Sequence, residues 1–449
     1  MGRFRKSEHP DQGFLLPPSV REWLPNGHLA WFIQDAVEAL EIGELLEVYR
    51  PCGKGKLAYN PRMMLKVLIY AYSTGTFSSR KIAKQLEESI PFRVLAGNQM
   101  PGHRTICRFR ERHIDQFARL FTQVIEFAAS SGLVKLGTLA IDGTKVKANA
   151  SKHKAMSYER MRDEEKRLRR EIRALTRRAT EQDAREDELF GPDFRGDELP
   201  EELANRETRL AKIRAAKKHL EERKAAEAKE GDERRARKAR DEGREPPKSR
   251  PQLRKHPKGK PKPKDQENFT DPDSRIMMSS GAFEQCYNAQ AAVDGGHQLI
   301  VATGLTNNAA DNGELLPMIE SAMRNTGQPA HRVLADAGYK SEQSLRILEE
   351  AGVDAYVALG REGKKPLPYG PSREATARMQ RKLKTRRGRR NYRRRKHIAE
   401  PVFGWIKSAL GFRSFGLRGL RKVRGEWNLV CLAMNLRRMR HWQAKLALG

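Results

Sequence analysis

From Ser151 to about Asn268 the chain passes through more than a hundred residues that are overwhelmingly charged and carry hardly an aromatic side chain. A stretch of that composition buries little apolar surface of its own, so the apolar segments before and after it must build the core across it. Inside the stretch, Met161, Leu168, Ile172 and Leu175, and then Leu203, Leu210, Ile213 and Leu220, follow one another at spacings of seven, four and three. That is the seam of a coiled coil, and FGPDFRGDELP between the two sets supplies a turn, so an antiparallel helical hairpin is the simplest reading. The following GREPPKSRPQLRKHPKGKPKPKDQ is rich in Pro and Lys, cannot bury a core, and is expected to be disordered unless it lies on DNA. The chain thus divides into residues 1–130, a core built from 131–150 and 269–449, and a charged insertion over 151–268.

Charge names the class of partner. Eighty-eight Lys and Arg against 57 Asp and Glu leave a formal net charge of +31. Such an excess opposes compaction by self-repulsion and becomes useful beside a polyanion whose counterions it displaces, so nucleic acid is the leading partner. A membrane surface is the weaker alternative, because no apolar run approaches the roughly 20 residues that span a bilayer. The N-terminal MGRFRKSEHPDQG lacks an apolar signal core, and a cytoplasmic protein is expected. Cys52, Cys107, Cys286 and Cys431 stand singly, without CxxC or His at metal-ligand spacing, and read as buried thiols.

Residues 1–130 read as all-helical. Apolar residues recur at near-helical spacing from Leu29 to Leu45; Asn60-Pro61 offers a cap and a first-turn proline for a buried helix over Met63–Tyr72; Ser78 can cap a helix holding Ile82 and Leu86. After the turn GNQMPGH, a helix from about Thr105 carries Arg108, Arg110 and Arg112. Helix, turn and basic helix resemble a helix-turn-helix DNA reader, although a plain bundle with a basic polar face gives the same pattern.

From Leu133 the period changes to that of strands. GTLAIDGTKVKANA is the first; Tyr287–Val293 and Gln298–Thr303 form a hairpin about Asp294-Gly295-Gly296. Asp311 caps a helix over Leu315–Met323, Val333–Ala335 is a strand, Ser341 caps the next helix, and Ala355–Leu359 is the last strand. Strand, insertion, two hairpin strands, helix, strand, helix, strand, helix is the element order of a ribonuclease-H-like α/β fold interrupted after its first strand.

Three acids stand out against the basic background: Asp142 and Asp336, each following a short apolar run, and Glu400, which opens or sits within an amphipathic helix crowded by Arg and Lys. Two divalent ions can assist an in-line displacement at phosphorus, and Mg²⁺ prefers hard oxygen ligands such as carboxylates. Asp142, Asp336 and Glu400 converging on two Mg²⁺ ions, with Mn²⁺ as a substitute, would make a phosphodiester-cutting site. Each Asp alone is explained as well by turn chemistry, since Asp before Gly commonly closes a strand.

The segments IDGTKVKANAS, DPDSRIM, NAQAAVD, LADAGY and AEPVFGWIKSALGFRSFGLRGLRKVRGEWNLVCLAMNL resemble bacterial insertion-sequence transposases of the DDE class, in the branch with an N-terminal helical domain. The resemblance spans nearly the whole chain and is weakest in the insertion. It implies that Asp142, Asp336 and Glu400 are the metal-binding triad, and that hydrolytic nicking is followed by strand transfer. The family's last motif places a Tyr, an Arg, the Glu and a Lys at set spacings. Lys407 matches, seven residues after Glu400 and so two turns along the same face. Tyr392 and Arg395 match each other, but four residues rather than three separate Arg395 from Glu400. On an unbroken helix Arg393 and Lys396 would share the face of Glu400 instead, while Pro401 fits a helix's first position and disfavours helical geometry at Glu400. These residues are read as contacts to phosphates near the cut.

Arg381 to Lys396 holds eleven basic residues in sixteen, a DNA track if it borders such a site and otherwise a solvated face. CGKGKL lacks the spacing of a nucleotide-binding loop, so no nucleotide cofactor is implied. The expected partner is double-stranded DNA, as transposon ends and as target; handling two ends implies at least a dimer when bound. A non-catalytic DNA-binding descendant of such an enzyme, and a nuclease without strand transfer, are the alternatives.

Overall fold

The computed structural model describes residues 19–49, 57–190, 201–241, 257–279, 281–360 and 373–446. The chain divides into two compact units, Met1–Lys147 with Cys286–Gly449, and Ala148–Gln285.

The first unit begins with helices α1 (Leu29–Ala39), α2 (Gly43–Glu47), α3 (Pro61–Ser73), α4 (Ser79–Glu88), α5 (Ile90–Leu95), α6 (His103–Arg112) and α7 (Gln116–Ser130). Asn60 starts α3 as expected, its Oδ1 accepting from the backbone of Arg62 at 2.8 Å and Met63 at 3.3 Å, with Pro61 in the first turn. From Met63 to Ser73 every α3 residue except Lys66 is buried, because α1, α5 and α6 pack around it.

Strand β1 (Leu139–Lys147) then leads out of this unit. The second unit holds β2 (Ala155–Ser157), the long helices α8 (Tyr158–Phe190) and α9 (Glu201–Asp241), β3 (Gln266–Asn268) and β4 (Arg275–Ser279). The helices pair through Met161, Leu168, Leu210 and Ile213, with Ile172 packed against them, which is the expected seam. The expected turn at 191–200 and the side chain of Leu203 lie outside the described residues. So do residues 243–256 of the Pro- and Lys-rich run. The last residue of that run, Gln266, opens β3, which pairs antiparallel with β2, and fully buried Glu267 just after it is bound by His219 and Arg223.

The chain returns in β5 (Ala282–Asp294), followed by β6 (Ile300–Thr306), α10 (Leu315–Thr326), β7 (Arg332–Ala335), α11 (Glu342–Glu350), β8 (Asp354–Val357), α12 (Glu374–Lys384), α13 (Arg386–Gly404) and α14 (Leu420–Leu446). Lys147 and Cys286 are the terminal register pair of the β1–β5 ladder, so the chain leaves and re-enters the first unit at one place. β5 pairs antiparallel with β1 and β6, while β1, β7 and β8 run parallel, giving a mixed sheet in the order β6-β5-β1-β7-β8 with β4 also beside β5. The fold class is therefore mixed α/β. Helix α14 packs against α3, α7 and β6, and α13 against β1, β7 and β8.

Two local expectations fail for identifiable reasons. Pro401 lies inside α13 rather than at its start. A proline strips the carbonyl four residues back of its helical donor, and here the side-chain amide of Gln298 donates to the His397 carbonyl at 2.7 Å in its place. Gln298 is itself held by Arg438. Asp311, expected to cap α10, is not the cap: Glu314 is, and Asp311 contributes only its backbone carbonyl to the Glu314 N–H.

Candidate active site

The parallel ladder between β1 and β7 pairs Leu139 with Val333, Ala140 with Leu334 and Ile141 with Ala335. Asp142 and Asp336 are the next residues on these neighbouring strands, whose backbones lie about 4.8 Å apart. All six paired residues are fully buried, so the two acids stand where the apolar run ends. Each is held locally: the Gly143 N–H donates to Asp142 Oδ1 at 2.9 Å, and the Gly338 N–H to Asp336 Oδ1 at 2.8 Å, closing a single 3-10 turn over Ala337–Tyr339. The turn chemistry anticipated for Asp336 is thus present, and it fixes the carboxylate without using both oxygens.

Helix α13 carries the third acid to the same place. Arg395 is buried between them, its Nη1 2.8 Å from Asp142 Oδ2 and its Nη2 3.6 Å from Glu400 Oε1. The extra residue in the Arg395–Glu400 spacing does not keep the two apart, since the long guanidinium spans from β1 to the helix. Tyr392, one turn earlier, lies with its ring 5.9 Å from the Arg395 guanidinium carbon. Burial pushes the Asp142 carboxyl up to about 6, with Arg395 opposing the shift and the charges of Asp336 and Glu400 adding to it. Asp142 therefore feels both other acids in a partly dry setting, with one guanidinium to offset them.

Lys407 is half-buried and donates to the Lys145 carbonyl at 3.0 Å, which ties it to β1. Regular α-helix ends at Gly404, and Trp405–Ala409 is a π turn, so seven-residue α spacing no longer sets the phase between Glu400 and Lys407. Arg393 and Lys396 are exposed on α13.

Among the described residues, no three His, Cys, Asp or Glu side chains are grouped tightly enough to hold one metal ion. Divalent ions nevertheless fit the donor set: hard carboxylate oxygens on rigid elements, Asp142 desolvated and repelled by the other two, with an arginine already drawn into the space between Asp142 and Glu400. Mg²⁺ is commonly held by one or two carboxylates with water and phosphate completing its shell, so pairs of acids suffice.

Comparison with protein families gives two matches. The transposase domain model DUF772 matches residues 18–112, and the transposase DDE domain model matches residues 252–436, more than half of the chain between them. The chain belongs to the DDE-class insertion-sequence transposases. The DDE-domain match contains Asp336, Glu400 and Lys407, whereas Asp142 precedes it on the far side of the charged insertion. No curated relative and no solved structure matches the chain. Enzymes of this family generally use divalent metal ions, in keeping with the donor set.

The transposase's N-terminal arginines separate into two groups. Arg108 and Arg112 are exposed on α6, Arg112 lying over the Tyr49 ring at 5.6 Å. Arg110 is a correction: it is 5% exposed and turned into the core, donating to Tyr72 Oη at 2.9 Å and the Phe77 carbonyl at 3.0 Å, and lying 4.0 Å from fully buried Glu426. It cannot meet DNA from there. The signal was present in the sequence, because Ile106, Phe109 and Arg110 fall at the i, i+3, i+4 positions of a single buried stripe.

Sequence reasoning also missed Asn288, Gln290, Asp311 and Tyr339 beside the acids. Asn288 and Gln290 left a trace as polar residues at alternate positions of the otherwise apolar, buried stretch Cys286–Val293 of β5.

Proposed function

We propose that this transposase binds the terminal inverted repeats of its insertion sequence, cuts the strand at the element's end, and joins that end to target DNA, with Asp142, Asp336 and Glu400 as the catalytic acids. The observation that carries the reading is the adjacency of Asp142 and Asp336 on parallel strands, together with the Arg395 guanidinium reaching both Asp142 and Glu400. The strand order β6-β5-β1-β7-β8 supports a ribonuclease-H-like catalytic domain, entered through β1 and resumed in β5. Two Mg²⁺ ions, or Mn²⁺ in their stead, would be held by these acids and would supply stabilisation of the attacking and leaving oxygens at phosphorus. Asp142, Asp336 and Glu400 hold the ions; Arg395, Tyr392 and Lys407 orient the phosphates beside them; exposed Arg393 and Lys396 extend a cationic track along α13. Residues of α6, with Arg108 and Arg112 outward, read the DNA ends. At least two copies act together on two ends.

The test uses the full chain with a duplex carrying the inverted repeat that brackets its own coding segment, and with a scrambled duplex. Mg²⁺ or Mn²⁺ is expected to give nicks at the repeat boundary and joined products, neither appearing with EDTA. Nicks without joined products would reduce the protein to a nuclease, and binding without nicks would make it a non-catalytic DNA-binding protein.

A further inference from the structure

We propose that Asp311 is a positioning residue for the acid site, holding the backbones that carry Asp142 and Asp336 at their working separation. This rests on the reading of those two acids as catalytic. Asp311 Oδ1 receives donors from two strands: Asn288 Nδ2 at 2.6 Å and Gln290 Nε2 at 2.7 Å from β5, and Lys145 Nζ at 3.3 Å from β1. Lys145 and Asn288 form one register pair of the β1–β5 ladder, and Gly143 and Gln290 another, so one carboxylate ties two rungs together immediately after Asp142. The backbone is shaped to admit it. A Cβ at Gly143 would lie 2.5 Å from Gln290 Nε2 and 3.0 Å from Asp311 Oδ1; a Cβ at Gly338 would lie 2.8 Å from Asp311 Oδ2 and 3.0 Å from Asp336 Oδ1. Asp311 therefore touches the residue after the first acid and the turn that follows the second, a contact only glycines permit at both places.

A second chain of bonds closes the loop. Gln290 Oε1 accepts from the hydroxyl of fully buried Tyr339, the residue that ends the turn begun by Asp336. Burial first, and then the charges of Asp311, Asp142 and Asp336, hold the Tyr339 hydroxyl far above the usual phenol range, so it remains a donor at any working pH. Asn288 Nδ2 also donates to the Asn308 carbonyl at 3.1 Å, anchoring the loop that carries Asp311. Asp311, Gln290, Tyr339 and the Asp336 turn thus form one closed circuit under the acids. Bonds to an ionised carboxylate are the strong members of such a network.

Three full-length variants test this. Asp311→Ala removes the acceptor, Asp311→Asn keeps an acceptor oxygen without the charge, and Tyr339→Phe cuts only the far link. Groups that orient ion-binding carboxylates typically cost about 10–100-fold in ion affinity or activity when removed. Asp311→Ala is expected to lower both the single-turnover cleavage rate at saturating DNA and Mg²⁺, and the affinity for free Mn²⁺ read by EPR without DNA, by about that factor. Asp311→Asn falls between it and wild type, Tyr339→Phe moves both readouts in the same direction, and affinity for end DNA stays near wild type in all three. Wild-type Mn²⁺ affinity and cleavage in Asp311→Ala or Asp311→Asn, or a lowered melting temperature with both readouts unchanged, would overturn the positioning role. The two readings fail separately: if Asp142→Asn weakens Mn²⁺ binding and the Asp311 variants do not, only Asp311 is eliminated, whereas Mn²⁺ affinity indifferent to Asp142→Asn removes the acid site itself.

Discussion

Replacing Asp142 by Asn is expected to abolish strand cleavage and leave DNA binding intact. An ion-binding carboxylate contributes several kcal/mol to the transition state, and at 1.36 kcal/mol per tenfold a loss of about 4 kcal/mol is about a thousandfold in rate. The substitution is isosteric, but the Gly143 N–H and Arg395 use different oxygens of Asp142 and Asn offers one, so only one of them keeps an acceptor; the negative charge at the crowded centre of the site disappears as well. Asp336→Asn and Glu400→Gln should act alike, although exposed Glu400, at 53%, tolerates a small change of position better than the strand-borne acids. Binding of end DNA should not weaken, since each change makes a chain of net charge +31 more positive by one. Single-turnover cleavage and electrophoretic mobility shift on the same duplex separate the two effects. A variant that cuts at the wild-type rate would take its residue out of the chemistry.

The second large effect is on stability. Arg110→Met should destabilise the first unit by about 3–5 kcal/mol, the usual consequence of leaving a buried charge without its partner. Glu426 is 0% exposed and keeps its other bonds, accepting from Tyr72 Oη at 3.1 Å, from the Gly416 N–H at 2.9 Å and from the Leu417 N–H at 3.0 Å. Those neutral donors do not replace the guanidinium. Arg108→Met, two residues away and exposed, should leave the melting temperature alone while weakening DNA binding and reducing the slope of log affinity against log salt by about one. Denaturant unfolding of the two variants side by side reads the contrast; equal stabilities would contradict the buried pair. Adding Glu426→Gln to Arg110→Met should cost less than the two single changes summed, because both act on one network.

The same pair shows what was legible in the sequence and what was not. Where structure follows from residues close in the chain, the residues announced it: Asn60-Pro61 starts α3, Met161, Leu168, Leu210 and Ile213 form their seam, and the short runs before Asp142 and Asp336 are β1 and β7. Asp311 read locally as a helix cap because the residues that claim its side chain lie on β1 and β5, and no local rule pairs those strands across the charged insertion. Pro401 read as a helix start for the same reason, its compensating donor Gln298 being on the other side of α10, β7 and β8 in sequence. That Asp142 and Asp336 sit on neighbouring strands was legible only as element order. The interposed Arg395 became visible once β1 and α13 were packed together.

The most direct test of the acid site is anomalous diffraction from crystals of the full chain with end DNA and Mn²⁺. The account predicts two Mn²⁺ peaks, about 3.5–4 Å apart as in two-ion sites generally, with carboxylate oxygens of Asp142, Asp336 and Glu400 among their ligands and Arg395 moved off Asp142. Mn²⁺ bound elsewhere, with Arg395 still bridging Asp142 and Glu400 beside intact DNA ends, would contradict it.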